Sequence, residues 1–186
     1  MSNLLSKFFQ KRTSKSHSNK DLQLEIENTQ RQFDSHDNYA KGINFENQQK
    51  YEDAIACYNI AIELDYFNNA FIYACRGHCF QLLDNDELAI EDFNKAISIK
   101  PDILYDVYYF RAKSNEKLSR FNDYASDLKK VISIFEHTNE RTEDESRFYY
   151  DVKLELVQLE YNLELIAMLD KQHDIVNELI EKVKKD

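Results

Sequence analysis

Residues 73–101 read YACRGHCFQLLDNDELAIEDFNKAISIKP, and residues 38–66, set 35 positions earlier, read NYAKGINFENQQKYEDAIACYNIAIELDY. In this register Gly42 returns as Gly77, Phe45 as Phe80, Ala54 as Ala89, Tyr58 as Phe93 and Ala61 as Ala96. The two glycines are the only ones in the chain, and its only proline, Pro101, closes the second stretch. Backbone-breaking residues held in one register, at a period of a few tens of residues, predict helical hairpins that stack because none can bury its apolar face alone.

Composition agrees. With two glycines and one proline in 186 residues there is little material for the tight turns that punctuate strands, so the fold class is all-α. Twelve Tyr and twelve Phe, with no Trp, supply the bulky packing groups. A chain of this length suits one domain and buries about 70% of its unfolded surface. The net charge is −10, but residues 1–20 hold Lys7, Lys11, Arg12, Lys15 and Lys20 and no acid, which leaves −15 on the remainder. An acidic body repels phosphate backbones, so no nucleic-acid partner is expected.

Leu4, Leu5, Phe8 and Phe9 form an apolar cluster interrupted by Lys7, with no small-residue cleavage site after it. It reads as neither a signal peptide nor a membrane span, and no stable membrane insertion is expected. Cys57, Cys75 and Cys79 lie inside helical patterns rather than a loop framework, which fits a reducing, cytoplasmic location.

The repeated stretch resembles the tetratricopeptide repeat, whose signature is an aromatic, Leu-Gly, an aromatic, Ala, an aromatic, Ala and Pro. The better copy supplies Tyr73, Gly77, Phe80, Ala89, Phe93, Ala96 and Pro101, with Arg76 where the family has Leu. The copy before it has Asn38, Lys41, Gly42, Phe45, Ala54, Tyr58 and Ala61, with Tyr66 in place of Pro, and a weaker third has Tyr108, Ala112, Tyr124, Leu128 and Val131. Gly42, Gly77 and Ala112 let the first helix of each hairpin approach the second, and the aromatics fill the wedge between hairpins. The family period is 34, so one extra residue is expected in each inter-repeat turn, near Asn69 and Leu104.

The expected organisation is therefore a basic disordered tail (1–20), a capping helix (21–34), three repeats (35–68, 70–103, 105–138) and a C-terminal helical extension (139–186). Helices are expected at 36–48, 51–64, 70–83, 86–99, 104–117 and 121–136. A capping box, Thr142 to Glu145, then opens a long helix to about Asp170. Its seam is Val152, Leu156, Leu159, Leu163 and Ile166, with Leu154, Val157, Leu165 and Leu169 on other faces, so it must bury more than one side. A turn at 170–174 and a last helix carrying Val176, Ile180 and Val183 would close a divergent fourth hairpin.

The resemblance implies a superhelical solenoid whose first helices line a concave groove. Groove-facing positions carried over from the family are His36, Tyr39, Ile43 and Asn47; Phe71, Ala74, His78 and Leu82; and Asp106, Tyr109, Lys113 and Lys117. Of these Tyr39, Ile43, Asn47, Phe71, His78, Leu82, Tyr109 and Lys113 are the candidate binding residues. They suit a peptide or helix with apolar anchors and some negative charge. The competing reading is that the C-terminal helix or a second copy covers them. Family members that clamp chaperone tails use two Lys, two Asn and an Arg. The equivalent positions here hold Tyr39, Ile43, Cys75, Asp106 and Phe110, so the resemblance does not extend to that clamp.

Cys75, His78 and Cys79 share a helix face but lack the paired fourth ligand of a structural zinc site, and read as packed thiols; no metal or cofactor is expected. The histidines are scattered, no nucleophile-base set or phosphate loop is present, and acids such as Asp84, Asp86 and Glu143 to Glu145 sit at helix starts. The chain reads as a non-catalytic protein-interaction module, a bacterial adaptor or dedicated chaperone, similar in layout to class II type III secretion chaperones. A self-associating structural protein, a homodimer through the long helix and Tyr105, Tyr108, Tyr109 and Phe110, or a toxin-neutralising immunity-type protein are the alternatives.

Overall fold

The computed structural model describes residues 19–64, 69–101, 105–138 and 140–183, the side chains of 179 and 181–183 excepted. The apolar cluster Leu4 to Phe9, Tyr66 and Leu104 lie outside the described residues. Among those described there are seven helices and no strand: α1 Asn19–Asn47, α2 Tyr51–Leu64, α3 Ala70–Leu82, α4 Asp86–Ile99, α5 Tyr105–Lys117, α6 Phe121–Glu136 and α7 Glu143–Val183. The chain divides into two compact units, up to Ile72 and from Tyr73 onward.

In the first unit α1 and α2 form a hairpin. Gly42 is buried, and a Cβ placed on it would stand 2.6 Å from Tyr58 Cδ1, so only a glycine lets the two axes come this close. Tyr58 is fully buried, yet its hydroxyl still donates to Glu46 Oε2 at 2.7 Å. Ser35 Oγ donates to the Ala61 carbonyl at 2.8 Å, which ties the middle of α1 to the end of α2.

The expected capping helix and first repeat helix are one element, since α1 runs unbroken for 29 residues and takes in Asn19 and Lys20, assigned above to the tail. Nothing in its sequence before Gly42 breaks a helix. Gln30 Nε2 donates to Asp34 Oδ1, and Asn38 Nδ2 to the Asp34 carbonyl, both at 2.8 Å, across the expected boundary. Such i,i+4 links support continuation.

In the second unit α4, α5 and α6 pack in sequence. Gly77 repeats the role of Gly42: a Cβ there would meet Phe93 Cε1 at 2.8 Å. The core gathers Tyr108, Ala112, Tyr124, Leu128, Val131, Phe135, Tyr149, Val152 and Leu156, so α7 contributes to it through its first half. Full burial of side chains such as Phe93, Leu128 and Val152 is worth about 1.5–3 kcal/mol each.

Each hairpin turns the same way. Gln49, Asp84 and Ser119 have φ of 60°, 57° and 58°, the left-handed region. Just after them Lys50, Asn85 and Arg120 donate their amides to the carbonyls of Phe45, Phe80 and Asn115 at 3.0, 2.9 and 2.8 Å. This is the six-to-one closure that ends a helix by satisfying its orphan carbonyls. Asp84 is thus a turn residue rather than part of a helix start, whereas Asp86 lies in the first turn of α4.

The C-terminal extension also departs from expectation. No turn forms at 170–174: α7 is a single helix of 41 residues, about 60 Å long at 1.5 Å per residue, and the fourth hairpin is not made. The sequence LDKQHDIVN offers neither Gly nor Pro to stop it. Nor are two of its sides buried. Val152 and Leu156 are buried and Leu159 and Leu163 half-buried, but Ile166 is exposed, as is every residue from Glu164 to Glu178.

Candidate functional site

In the first unit Tyr39 is half-buried, its ring 6.0 Å from that of Tyr58, while Ile43, Asn47 and Phe71 are exposed. Phe71 lies in the first turn of α3 and donates its amide to Asn69 Oδ1 at 3.0 Å.

In the second unit the remaining candidates lie on α3 and α5, which side-chain contacts join. His78 stacks on Phe110 with ring centroids 4.7 Å apart, and Gln81 Nε2 donates to the Phe110 carbonyl at 2.7 Å and to Ser114 Oγ at 2.8 Å. Leu82 is exposed.

Tyr109 and Lys113, one turn apart on α5, meet α7. The Tyr109 ring stands edge-on to Phe148, centroids 5.0 Å apart at 81°, and its hydroxyl donates to Glu155 Oε2 at 3.4 Å. Lys113 Nζ donates to Glu155 Oε1 at 3.1 Å, and the Tyr124 hydroxyl donates to that same oxygen. Lys113 also pairs with Glu116 on its own helix.

One carboxylate from α7 thus collects two tyrosines and an ammonium. Burial, then the bond to Glu155, pushes the Tyr124 phenol well above its usual range. Tyr109 moves the same way, for burial first and the charge of Glu155 second. Burial works against the charge on Lys113, but hydrogen bonds to Glu116 and Glu155 more than offset it and hold the ammonium above its ordinary value. Tyr109 and Lys113, expected from the resemblance to face a groove, are contacted by α7.

Sequence reasoning missed the ion pairs. Arg76, noted only as a departure from Leu, grips Asp92 with two bonds of 2.7 Å, and Arg111 grips Asp127 with bonds of 2.9 and 2.6 Å. Both aspartates are buried. The guanidinium of Arg76 lies 5.8 Å from the Tyr73 ring centre, and that of Arg111 lies 5.5 Å from Tyr108. The available signal was the period itself, since Tyr73, Arg76 and Asp92 recur 35 residues on as Tyr108, Arg111 and Asp127.

A polar recess of about 320 Å³ is lined by Ile90, Asn94, Arg111, Arg120, Asp123 and Asp127 among others, but its most buried charges already satisfy each other. Among the described residues no three His, Cys, Asp or Glu side chains gather where a metal could bind, and no helix is long and apolar enough to cross a membrane. Cys79 is buried and Cys75 half-buried.

The family model for the tetratricopeptide repeat matches residues 72–103. The Dictyostelium discoideum protein STIP1 homolog is 33% identical over 58% of this chain and 20% of its own length. The chain spans only about a fifth of the length of this curated relative. Among solved structures, the first such repeat domain of Spaghetti (RPAP3), bound to the HSP90 peptide SRMEEVD, superposes with a TM-score of 0.59 at 19% identity, covering 71% of this chain and 94% of that one. The Yersinia enterocolitica type III secretion chaperone SycD, in complex with a peptide of the translocator YopD, gives 0.60 at 16% identity, covering 68% and 92%. At these identities the likeness is one of fold.

Proposed function

We propose, from the premise that this chain is a tetratricopeptide-repeat protein, that it is a non-catalytic protein-binding module, an adaptor or dedicated chaperone of the cytoplasm. Its ligand is a peptide or helix that presents an apolar anchor beside an acidic side chain. One observation supports this choice of chemistry above others. On the α5 face the chain's own α7 offers an aromatic ring, Phe148, to Tyr109 and a carboxylate, Glu155, to Lys113. An external segment of the same character would suit the neighbouring first-helix positions, where Leu82 is exposed and His78 half-buried.

Ile43, Asn47 and Phe71 present the same mix of apolar and polar groups in the first unit, and belong to the proposed binding set. The peptides held by solved relatives support peptide binding as a general use of this fold. They do not carry the partner across, because the clamp positions for chaperone tails hold Tyr39, Ile43, Cys75, Asp106 and Phe110 here.

A displayed library of random peptides panned against the full chain tests the reading. Enriched sequences should pair aliphatic or aromatic residues with Asp or Glu. Leu82→Asp, on an exposed position, should weaken them roughly thirtyfold, equivalent to about 2 kcal/mol. Enrichment of nothing above background, or unchanged binding by the folded Leu82→Asp chain, would overturn it.

A further inference from the structure

Helix α7 carries an apolar seam on one side and, on the opposite side, a stripe of exposed Leu, Tyr, Met and Ile with Gln158 and Gln172 set into it. Val152, Leu156 and Leu159 face the core, and Leu163, on the same side, is half-buried. At 100° per residue Tyr161 lies about 180° round the helix from Val152. On that far side Leu154, Tyr161, Met168 and Ile175 recur every seventh residue, with Gln158, Leu165 and Gln172 four residues after the first three. Leu154 is 69% exposed, Tyr161 61%, Met168 53% and Ile175 50%, and both glutamines are exposed. Val157, Leu169 and Val176 flank this stripe and are exposed too, and within that face the 3-4 spacing is the one that two-stranded coiled coils use.

We infer that this seam pairs with the same seam of a second copy of the chain, antiparallel, with Leu165 against the partner's Met168. Charge selects both direction and register. In that alignment Gln158 meets the partner's Ile175 and Tyr161 the partner's Gln172, while Glu164 flanks the partner's Lys171 and Lys171 the partner's Glu164. Two reciprocal ion pairs therefore bracket the central Leu165 and Met168 layers.

Sliding one copy by a heptad sets Lys171 against the partner's Lys171 and Glu164 against the partner's Glu178. A parallel pairing leaves Glu164 beside the partner's Leu169. Neither alternative matches charges. Glu160, Asp170 and Asp174, which would otherwise repel between two acidic helices, fall on positions outside the seam. This pairing uses the face of α7 turned away from Tyr109 and Lys113, so it stands or falls apart from peptide binding.

Sedimentation equilibrium of the full chain over a concentration series should approach twice the 22.2 kDa chain mass. Leu165→Asp with Met168→Asp, both exposed in the single chain, should return the monomer mass with helicity unchanged. Glu164→Lys should raise the dissociation constant roughly fivefold to tenfold by making both flanking pairs repulsive, and adding Lys171→Glu should restore it. Glu164→Cys with Lys171→Cys should cross-link two chains under oxidation, whereas Glu164→Cys alone should not. A mass that stays monomeric throughout the series, or a double charge swap no better than the single one, overturns the inference. A monomer that instead binds a basic helix from another protein also overturns it.

Discussion

Replacing Gly77 by Ala probes the close approach on which the hairpins depend. The new Cβ would stand 2.8 Å from Phe93 Cε1 and 3.1 Å from Asp92 Cβ. Carbon atoms in good contact sit about 3.5–4.0 Å apart. Neither neighbour can yield cheaply: Phe93 is fully buried, and Asp92 is held by two 2.7 Å bonds from Arg76. Overpacking of this kind costs about 1–3 kcal/mol, against which Ala recovers about 0.8–1 kcal/mol of helix propensity. The net loss is then about 1 kcal/mol, reaching 2 at the upper end, or roughly 2–4 °C in Tm per kcal/mol for a chain this size. Gly42→Ala should lose more, because its Cβ would press within 2.6 Å of the buried Tyr58 ring and disturb the 2.7 Å bond to Glu46. The third hairpin supplies the control. Ala112 is fully buried with its Cβ already accommodated, so Ala112→Gly should also destabilise, by about 1 kcal/mol, through backbone freedom and lost burial. Urea unfolding followed by far-ultraviolet circular dichroism measures all three. If Gly77→Ala matches or exceeds the parent in stability, the glycine is not there for clearance and the reasoning fails.

Two further outcomes follow from the turns and caps. Ser119→Gly should stabilise the chain by about 0.5–1 kcal/mol, because glycine adopts φ near 58° without the clash that a side chain meets there; a lower unfolding midpoint would count against it. Glu145 accepts bonds from the Thr142 amide and hydroxyl at 2.8 and 3.0 Å, and these hold its carboxyl below the ordinary 4.5. With the folded value depressed, its contribution is fully present above the unfolded value and is lost as pH falls through the lowered one. An acid titration of helicity should therefore lose a step in Glu145→Gln, and superimposable titrations of the two chains would refute this.

The hairpins were legible because their determinants are local and repeated. Gly42 and Gly77 mark the close contacts, and five of the six expected hairpin helices match the observed ones to within a residue at each end. The two misplaced boundaries share one cause. At 34–36 and at 170–174 the sequence suggests breaks because it is polar, yet Asp, Ser, His, Gln and Lys interrupt a helix only where a competing partner or a special φ exists, and neither stretch contains Gly or Pro. Conversely the true stops, Gln49, Asp84 and Ser119, are three different residues, none of them the glycine that usually signals a left-handed position. The Glu155 cluster was not legible at all, because it joins residues 31 to 46 positions apart whose encounter depends on how α7 lies across α5 and α6.

Once the structure is known, the 35-residue period separates scaffold from variable surface. The left-handed turn residue recurs at 49, 84 and 119 despite its changing side chain, so the backbone obeys the period where the sequence does not. The ion pair recurs as Arg76 with Asp92 and Arg111 with Asp127, but the same positions in the first hairpin hold Lys41 and Cys57. Burial pushes the Cys57 thiol up, and Lys41 turns to Asp37 at 2.6 Å, leaving that hairpin to rely on Tyr58, Glu46 and Ser35. Other positions keep the register and change chemistry outright: Ile43, His78 and Lys113 are equivalent, as are Asn47, Leu82 and Lys117. Buried contacts change between hairpins only where others replace them, whereas Asn47 and Leu82 are exposed and carry no such demand. For the binding role proposed above, Leu82 of the second unit, exposed and without an equivalent leucine in either neighbouring copy, is therefore the first single place to disturb.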